Sequence, residues 1–191
     1  MEALFVSLSV VTLAEIGDKT QLLALLLAAK FRRPFPIIAG IVVATVANHT
    51  IAAGLGVVVA EWLGGTALRW IIGLLFLAMA GWTLIPDKMD EAPRMWERAG
   101  PFVATLLSFF LAEMGDKTQL ATVALGARFG DLLAVTAGTT LGMLVADIPA
   151  VFVGGAFAER LPMTLVRAIA AALFAVLGVM ALLNVGGDLL H

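Results

Sequence analysis

The sequence holds no cysteine, which excludes disulfides, thiolate metal sites and cysteine nucleophiles. Charge is scarce: only 14% of the 191 residues are Asp, Glu, Lys or Arg. The net charge of -2 is spread over short segments between apolar runs, and no nucleic-acid partner is expected from it. A secretory leader is also missing its basic start, because Glu2 stands where Lys or Arg would be and the first apolar run continues into Glu15. That run reads as a retained helix, and no transit or lipidation motif accompanies it.

What the chain has is apolar surface. At 61% hydrophobic residues and a mean hydropathy of +1.03, it exceeds what a water-soluble core of this size can bury, so the fold class is an all-α integral membrane protein. A membrane-crossing helix needs about 20 mostly apolar residues, and six segments approach that, at about 3–29, 36–60, 67–86, 101–127, 132–157 and 165–185. Charged or proline-bearing breaks separate them, and the longest, Pro86 to Gly100, is the one real linker.

The stretch Ala14-Glu15-Ile16-Gly17-Asp18-Lys19-Thr20-Gln21 returns 98 residues later as Ala112-Glu113-Met114-Gly115-Asp116-Lys117-Thr118-Gln119. The same offset carries Phe31 onto Phe129, Gly40 onto Gly138, Gly56 onto Gly154, Ala60-Glu61 onto Ala158-Glu159, Thr66 onto Thr164 and Arg69 onto Arg167. Single Gly or Ala coincidences arise by chance in an apolar sequence, but a shared E-x-G-D-K-T-Q-L does not. The chain therefore reads as a tandem duplication: a first three-helix repeat over 1–85, a linker over 86–100 and a second repeat over 101–191, together one transport domain. An odd number of spans per unit sends the second unit in from the opposite side, giving inverted repeats with a site near the midplane. Both motifs lie half way along their segments.

Lys and Arg counts orient the chain. The face with the first, third and fifth connections holds Lys30, Arg32, Arg33, Lys88, Arg94, Arg98, Arg160 and Arg167, against Arg69 and Arg128 opposite. Eight against two places both termini outside and the linker in the cytoplasm. Trp62, Trp70, Trp82 and Trp96 near segment ends read as interfacial anchors.

Ionised groups inside an apolar span mark function. On a continuous helix Glu15 and Asp18 share a face, as do Glu113 and Asp116, while Lys19 reaches Glu15 and Lys117 reaches Glu113 at i, i+4. Four ionised acids with two protonated lysines leave -2, which one divalent cation or two protons neutralise. The carboxylates with the oxygens of Thr20, Thr118, Gln21 and Gln119 make a hard donor set that suits Ca²⁺, Mn²⁺ or Mg²⁺. The bland alternative has the acids only pairing with lysines, yet acids outnumber lysines two to one. Gly17 and Gly115 fit either an opened helix or a close helix crossing.

His49 and Asp147 correspond under the repeat and lie near mid-span, as candidate ligands or proton carriers. A lone His is also a common packing residue, whereas an intramembrane Asp has few structural uses. Met114 offers a soft sulfur but reads as packing, since its counterpart is Ile16. Gly138 and Gly142 have the G-x-x-x-G spacing of close helix contact, and Pro149 is expected to kink the fifth span and free a carbonyl.

The doubled E-x-G-D-K-T-Q, with H-x-x-A-A-G-x-G from His49 and G-T-T-L-G-M-x-x-A-D-x-P-A-V from Gly138, resembles a family of small membrane proteins. It includes bacterial manganese exporters and the Golgi and chloroplast calcium/manganese transporters that work as cation/proton antiporters. The resemblance covers essentially the whole chain. It implies that Glu15, Asp18, Glu113 and Asp116 are the essential acids, with Mn²⁺ or Ca²⁺ as transported substrate and no cofactor. Without the long N-terminal extension of eukaryotic members, the chain looks like a bacterial inner-membrane version.

The expected function is alternating-access export of a divalent cation in exchange for protons, with Lys19 and Lys117 limiting the charge. Expected partners are the cation, protons and the lipid bilayer, with room for a homo-oligomer. The alternatives are a passive cation channel, an intramembrane hydrolase and a scaffolding subunit. Against a hydrolase, H-E-x-x-H is absent, and Ser7, Ser9 and Ser108 lie beside no obvious base. A scaffold leaves two buried acid pairs unexplained.

Overall fold

A computed structural model describes residues 1–85, 99–153 and 163–185. Nearly all of the linker, Trp96, Arg160 and the Gly154, Ala158 and Glu159 counterparts lie outside the described residues. Among those described there are eight helices and no strand: α1 (Glu2–Glu15), α2 (Lys19–Phe31), α3 (Pro34–Trp62), α4 (Gly65–Thr83), α5 (Gly100–Glu113), α6 (Lys117–Phe129), α7 (Leu132–Val153) and α8 (Met163–Leu182). Four of them, α3, α4, α7 and α8, are long and apolar enough to cross a membrane. Exposed Phe5, Leu55, Leu74, Leu133 and Val145 on the outer faces match a protein whose solvent is lipid.

The first and fourth apolar segments differ from the single helices expected of them. Each is two half-helices, α1 with α2 and α5 with α6, of 14 and 13 residues in both cases. A half of that length spans only about 20 Å, short of a hydrocarbon core of about 30 Å. The break falls inside the motif. Ile16 turns extended (φ -63°, ψ 113°), Gly17 takes φ 81°, and the Asp18 N–H donates to the Glu15 carbonyl at 2.9 Å. These values are those of a type II turn, whose third residue needs the positive φ that glycine adopts without strain. The second motif repeats it: Met114 has φ -64° and ψ 118°, Gly115 φ 78°, and Asp116 N–H donates to Glu113 O at 3.1 Å. A Cβ on Gly115 would meet nothing within 4 Å, so conformation, not close packing, requires this glycine.

Packing is reciprocal between the halves. α1 lies along α7 and α5 along α3, while α3 meets α7 and α4 meets α8. Equivalent residues meet each other: Phe76 stacks on Phe174 at 6.1 Å between centroids, and Thr45 Oγ1 lies 2.9 Å from Met143 Sδ. Glycines set the close crossings. A Cβ on Gly138 would fall 2.4 Å from Leu4 O, on Gly142 2.7 Å from Leu8 O, and on Gly40 2.8 Å from Phe102 O. The Gly138–Gly142 spacing thus serves helix contact. Trp62, Trp70 and Trp82 are exposed near helix ends, as interfacial anchors are.

Candidate cation site

The two turns bring all four motif acids inside the protein. Glu15, Asp18 and Glu113 are fully buried and Asp116 is 3% exposed. The C-terminal ends of α1 and α5 arrive with carbonyls that lack helical partners, and α2 and α6 begin there with their N-termini.

The lysines pair across the halves. Lys19 Nζ lies 3.1 Å from Asp116 Oδ1, and Lys117 pairs with Asp18. The expected i, i+4 pairs, Lys19 with Glu15 and Lys117 with Glu113, do not form. The turn at Ile16-Gly17 and at Met114-Gly115 removes the continuous helix that such spacing presupposes. The shared helical face expected of Glu15 and Asp18 goes for the same reason: each acid pair sits at the two ends of a turn.

The glutamates differ from each other. Glu15 accepts a hydrogen bond from Thr20 Oγ1 at 2.5 Å on one oxygen and from Thr118 Oγ1 on the other. Thr20 also lies 3.4 Å from Asp18 Oδ2. Neither oxygen of Glu113 has a hydrogen-bond partner among the described residues, and His49 Nε2 lies 3.9 Å from its Oε2. Burying a carboxylate without partners is strongly unfavourable unless a proton or cation joins it. Glu15, Glu113 and Asp116 each present one oxygen within 4.8 Å of the others. Oxygens that share a hard cation at about 2.3–2.6 Å are separated by at most about 5 Å, so this spacing fits a single ion. Asp18 stands outside that group, against Lys117.

The remaining candidates surround this cluster. The Oε1 of Gln21 accepts the Gly17 N–H at 2.9 Å, and that of Gln119 accepts the Gly115 N–H at 2.8 Å. Gln21 Nε2 donates to Ala146 O at 2.9 Å, and Gln119 Nε2 to Asn48 Oδ1 at 2.7 Å. Both glutamine oxygens are therefore engaged by the turns. His49 is fully buried, with neither ring nitrogen hydrogen-bonded among the described residues. Asp147 is fully buried with both oxygens unpartnered among the described residues, within electrostatic reach of Glu15 and Glu113. Met114 is 57% exposed, away from the buried acids.

Asn48 and the Ala146 carbonyl are the participants that residue chemistry alone did not single out. A signal was present, for they precede His49 and Asp147 at equivalent positions in the two halves.

Comparison with known proteins places these features in a family context. The family model described as divalent cation/proton antiporter GDT1 matches residues 3–91 and again 101–188. A Vibrio cholerae protein named "Putative manganese exporter" is 54% identical over 175 residues, covering 91% of this chain and 87% of that protein. GDT1-like protein 3 of Oryza sativa subsp. indica is 30% identical over 201 residues, with 91% and 71% covered. A GDT1-like protein of Synechocystis is 30% identical over 205 residues, with 92% and 96% covered. No solved structure matches the chain.

Proposed function

Because the chain belongs to the divalent cation/proton antiporter GDT1 family, we propose that it exports Mn²⁺ across the cell's inner membrane in exchange for protons, by alternating access. Ca²⁺ is the alternative cargo. The family's activity is transport, which removes the hydrolase reading, and the protein is a multi-pass membrane protein.

The observation that carries the proposal is the cluster of Glu15, Glu113 and Asp116 oxygens within 4.8 Å, one of whose members, Glu113, has no hydrogen-bond partner among the described residues. The motif's excess of two negative charges is tolerable away from water when one divalent cation is bound or two protons are taken up. Sites that hold either but not both exchange one for the other. In this scheme the cation sits between the two turns, Thr20 and Thr118 orient Glu15, and the crossed lysine pairs hold Asp18 and Asp116 in place. His49 and Asp147 are the proton carriers beside it.

The membrane topology in this proposal counts each half-helix pair as one span, giving six spans in two inverted three-helix repeats over 1–85 and 101–191. The equal lengths of the half-helices and the reciprocal contacts between halves support it. The lysine and arginine bias puts both termini outside and the linker in the cytoplasm.

Purified protein in liposomes with an imposed proton gradient tests the reading, with internal Mn²⁺, Ca²⁺ and pH followed together. Uphill accumulation of one cation with opposite proton movement, lost in Glu113→Gln and Asp116→Asn, is the expected result. Downhill flux without proton movement would make the protein a channel instead.

A further inference from the structure

Gln21 and Gln119 each make two hydrogen bonds of the same pattern. The amide oxygen accepts the N–H of the turn glycine four residues earlier, and the amide nitrogen donates into the long helix of the other half. The acceptors are equivalent positions, Ala146 in α7 and Asn48 in α3, immediately before Asp147 and His49. Asn48 Nδ2 carries the chain on to Phe110 O at 3.4 Å, three residues before Glu113. A side-chain amide offers a neutral acceptor and a neutral donor on one planar group whatever the pH, and Gln has the reach.

We infer that Gln21 and Gln119 are positioning residues, latches that fix each turn's geometry and set its acids against Asp147 or His49 on the opposite half. Each oxygen already accepts the turn glycine's N–H, and the role assigned to it is to steer the carboxylates rather than to ligate the cation. The inference rests on the exchange reading for its transport readout and adds to it how the two halves are held in register.

The latches differ in one chemical respect that makes the idea sharp. Gln21 donates to a backbone carbonyl, which is an acceptor in every circumstance. Gln119 donates to a side-chain amide, which becomes a donor by rotating half a turn. A Gln→Glu change keeps the acceptor for the glycine N–H and removes the donor. At position 21 this sets two acceptors against each other. At position 119 the Asn48 amide has a way out: by rotating it donates to the new carboxylate, giving up only its long 3.4 Å bond to Phe110 O. Both variants add one negative charge, but Gln21 is buried and Gln119 only half-buried, so part of any larger loss in Q21E is the cost of the charge, and the comparison is read together with the double and alanine variants.

The test measures Mn²⁺ uptake in liposomes for Gln21→Glu, Gln119→Glu and the double variant Asn48→Asp/Gln119→Glu. Hydrogen exchange at the Gly17 and Gly115 amides is followed in Gln21→Ala and Gln119→Ala. Q21E should lose about tenfold more turnover than Q119E, the size expected when one buried acceptor is left unpaired. N48D/Q119E should fall at least to the Q21E level, because a carboxylate in place of the Asn48 amide cannot donate and adds a second negative charge beside the first. The two alanine variants should speed exchange at their own glycine by about fivefold or more, which is one lost hydrogen bond. Equal losses in Q21E and Q119E, or tighter Mn²⁺ binding in both, would overturn the latch and make the glutamines ligands. If the wild-type protein moves no cation, the exchange reading fails and the amide measurement alone decides, unchanged protection in both alanine variants refuting the latch.

Discussion

Lys117 is 4% exposed and pairs with Asp18, nearly a hundred residues away in the other half. The equivalent lysine, Lys19, is 28% exposed against Asp116. The two halves thus exchange lysines, each neutralising an acid of the other, and one exchange is deeper than its counterpart.

Removing one partner of a buried pair leaves an uncompensated charge, at roughly 3–5 kcal/mol. Lys117→Ala should therefore lower thermal stability in detergent clearly more than Lys19→Ala, since water already reaches the Lys19 position. Adding Asp18→Asn to Lys117→Ala should restore more stability than adding Glu113→Gln, the partner that a continuous helix would have chosen. The reverse order of rescue would disprove crossed pairing.

At the turns the relevant energy is backbone strain. Gly115 has φ 78° with open space where a Cβ would stand. Gly115→Ala should lower stability by about 1–2 kcal/mol through conformation alone. Gly115→Asn should cost less, because Asn tolerates the left-handed region better than Ala. Melting curves of the two variants decide this, and equal losses would mean that contact, not φ, excludes the side chain.

How much of this was legible in the sequence follows from what each feature depends on. Helices, membrane class and the 98-residue repeat depend on composition and self-similarity, both of which are local to the string of residues. The break between Glu15 and Asp18 was half legible: Gly17 allows a positive φ, but a packed glycine at a helix crossing has the same one-letter signature. Without the break, i, i+4 arithmetic assigned Lys19 to Glu15. Only the meeting of the halves, a tertiary fact, reveals Asp116 as its neighbour. Gln21 and Gln119 looked like oxygen donors because residue type says what an amide can do, not which N–H reaches it first. Asn48 and the Ala146 carbonyl escaped for a related reason. A backbone acceptor has no letter of its own, and Asn48 was overshadowed by the histidine beside it.

Glycines in helices give a contrast that needs no transport assay. A Cβ on Gly56 would stand 2.1 Å from Val123 O, a backbone atom that cannot step aside, whereas one on Gly81 meets nothing within 4 Å. Gly56→Ala should force α3 from α6 and destabilise by about 1–3 kcal/mol. Gly81→Ala should raise stability by up to about 1 kcal/mol, through helix propensity. Parallel melting curves check the pair, and a neutral Gly56→Ala would show that this crossing is looser than the geometry has it.

Asp147 offers the most direct handle on proton coupling. It is fully buried, and both oxygens lack hydrogen-bond partners among the described residues. In the exchange proposed above, Asp147 is the group that takes a proton as the cation leaves. The cluster of Glu15, Glu113 and Asp116 does not include it, so in this proposal holding the ion and carrying the proton fall to different residues. Asp147→Asn keeps the shape and removes the titration. The variant should bind Mn²⁺ within about threefold of wild type, as expected for a charge lost outside the ligand shell. It should also move fewer protons per cation, read as the ratio of proton to Mn²⁺ flux in the same liposomes. An unchanged ratio would remove Asp147 from the proton path, and lost binding would move it into the ligand set.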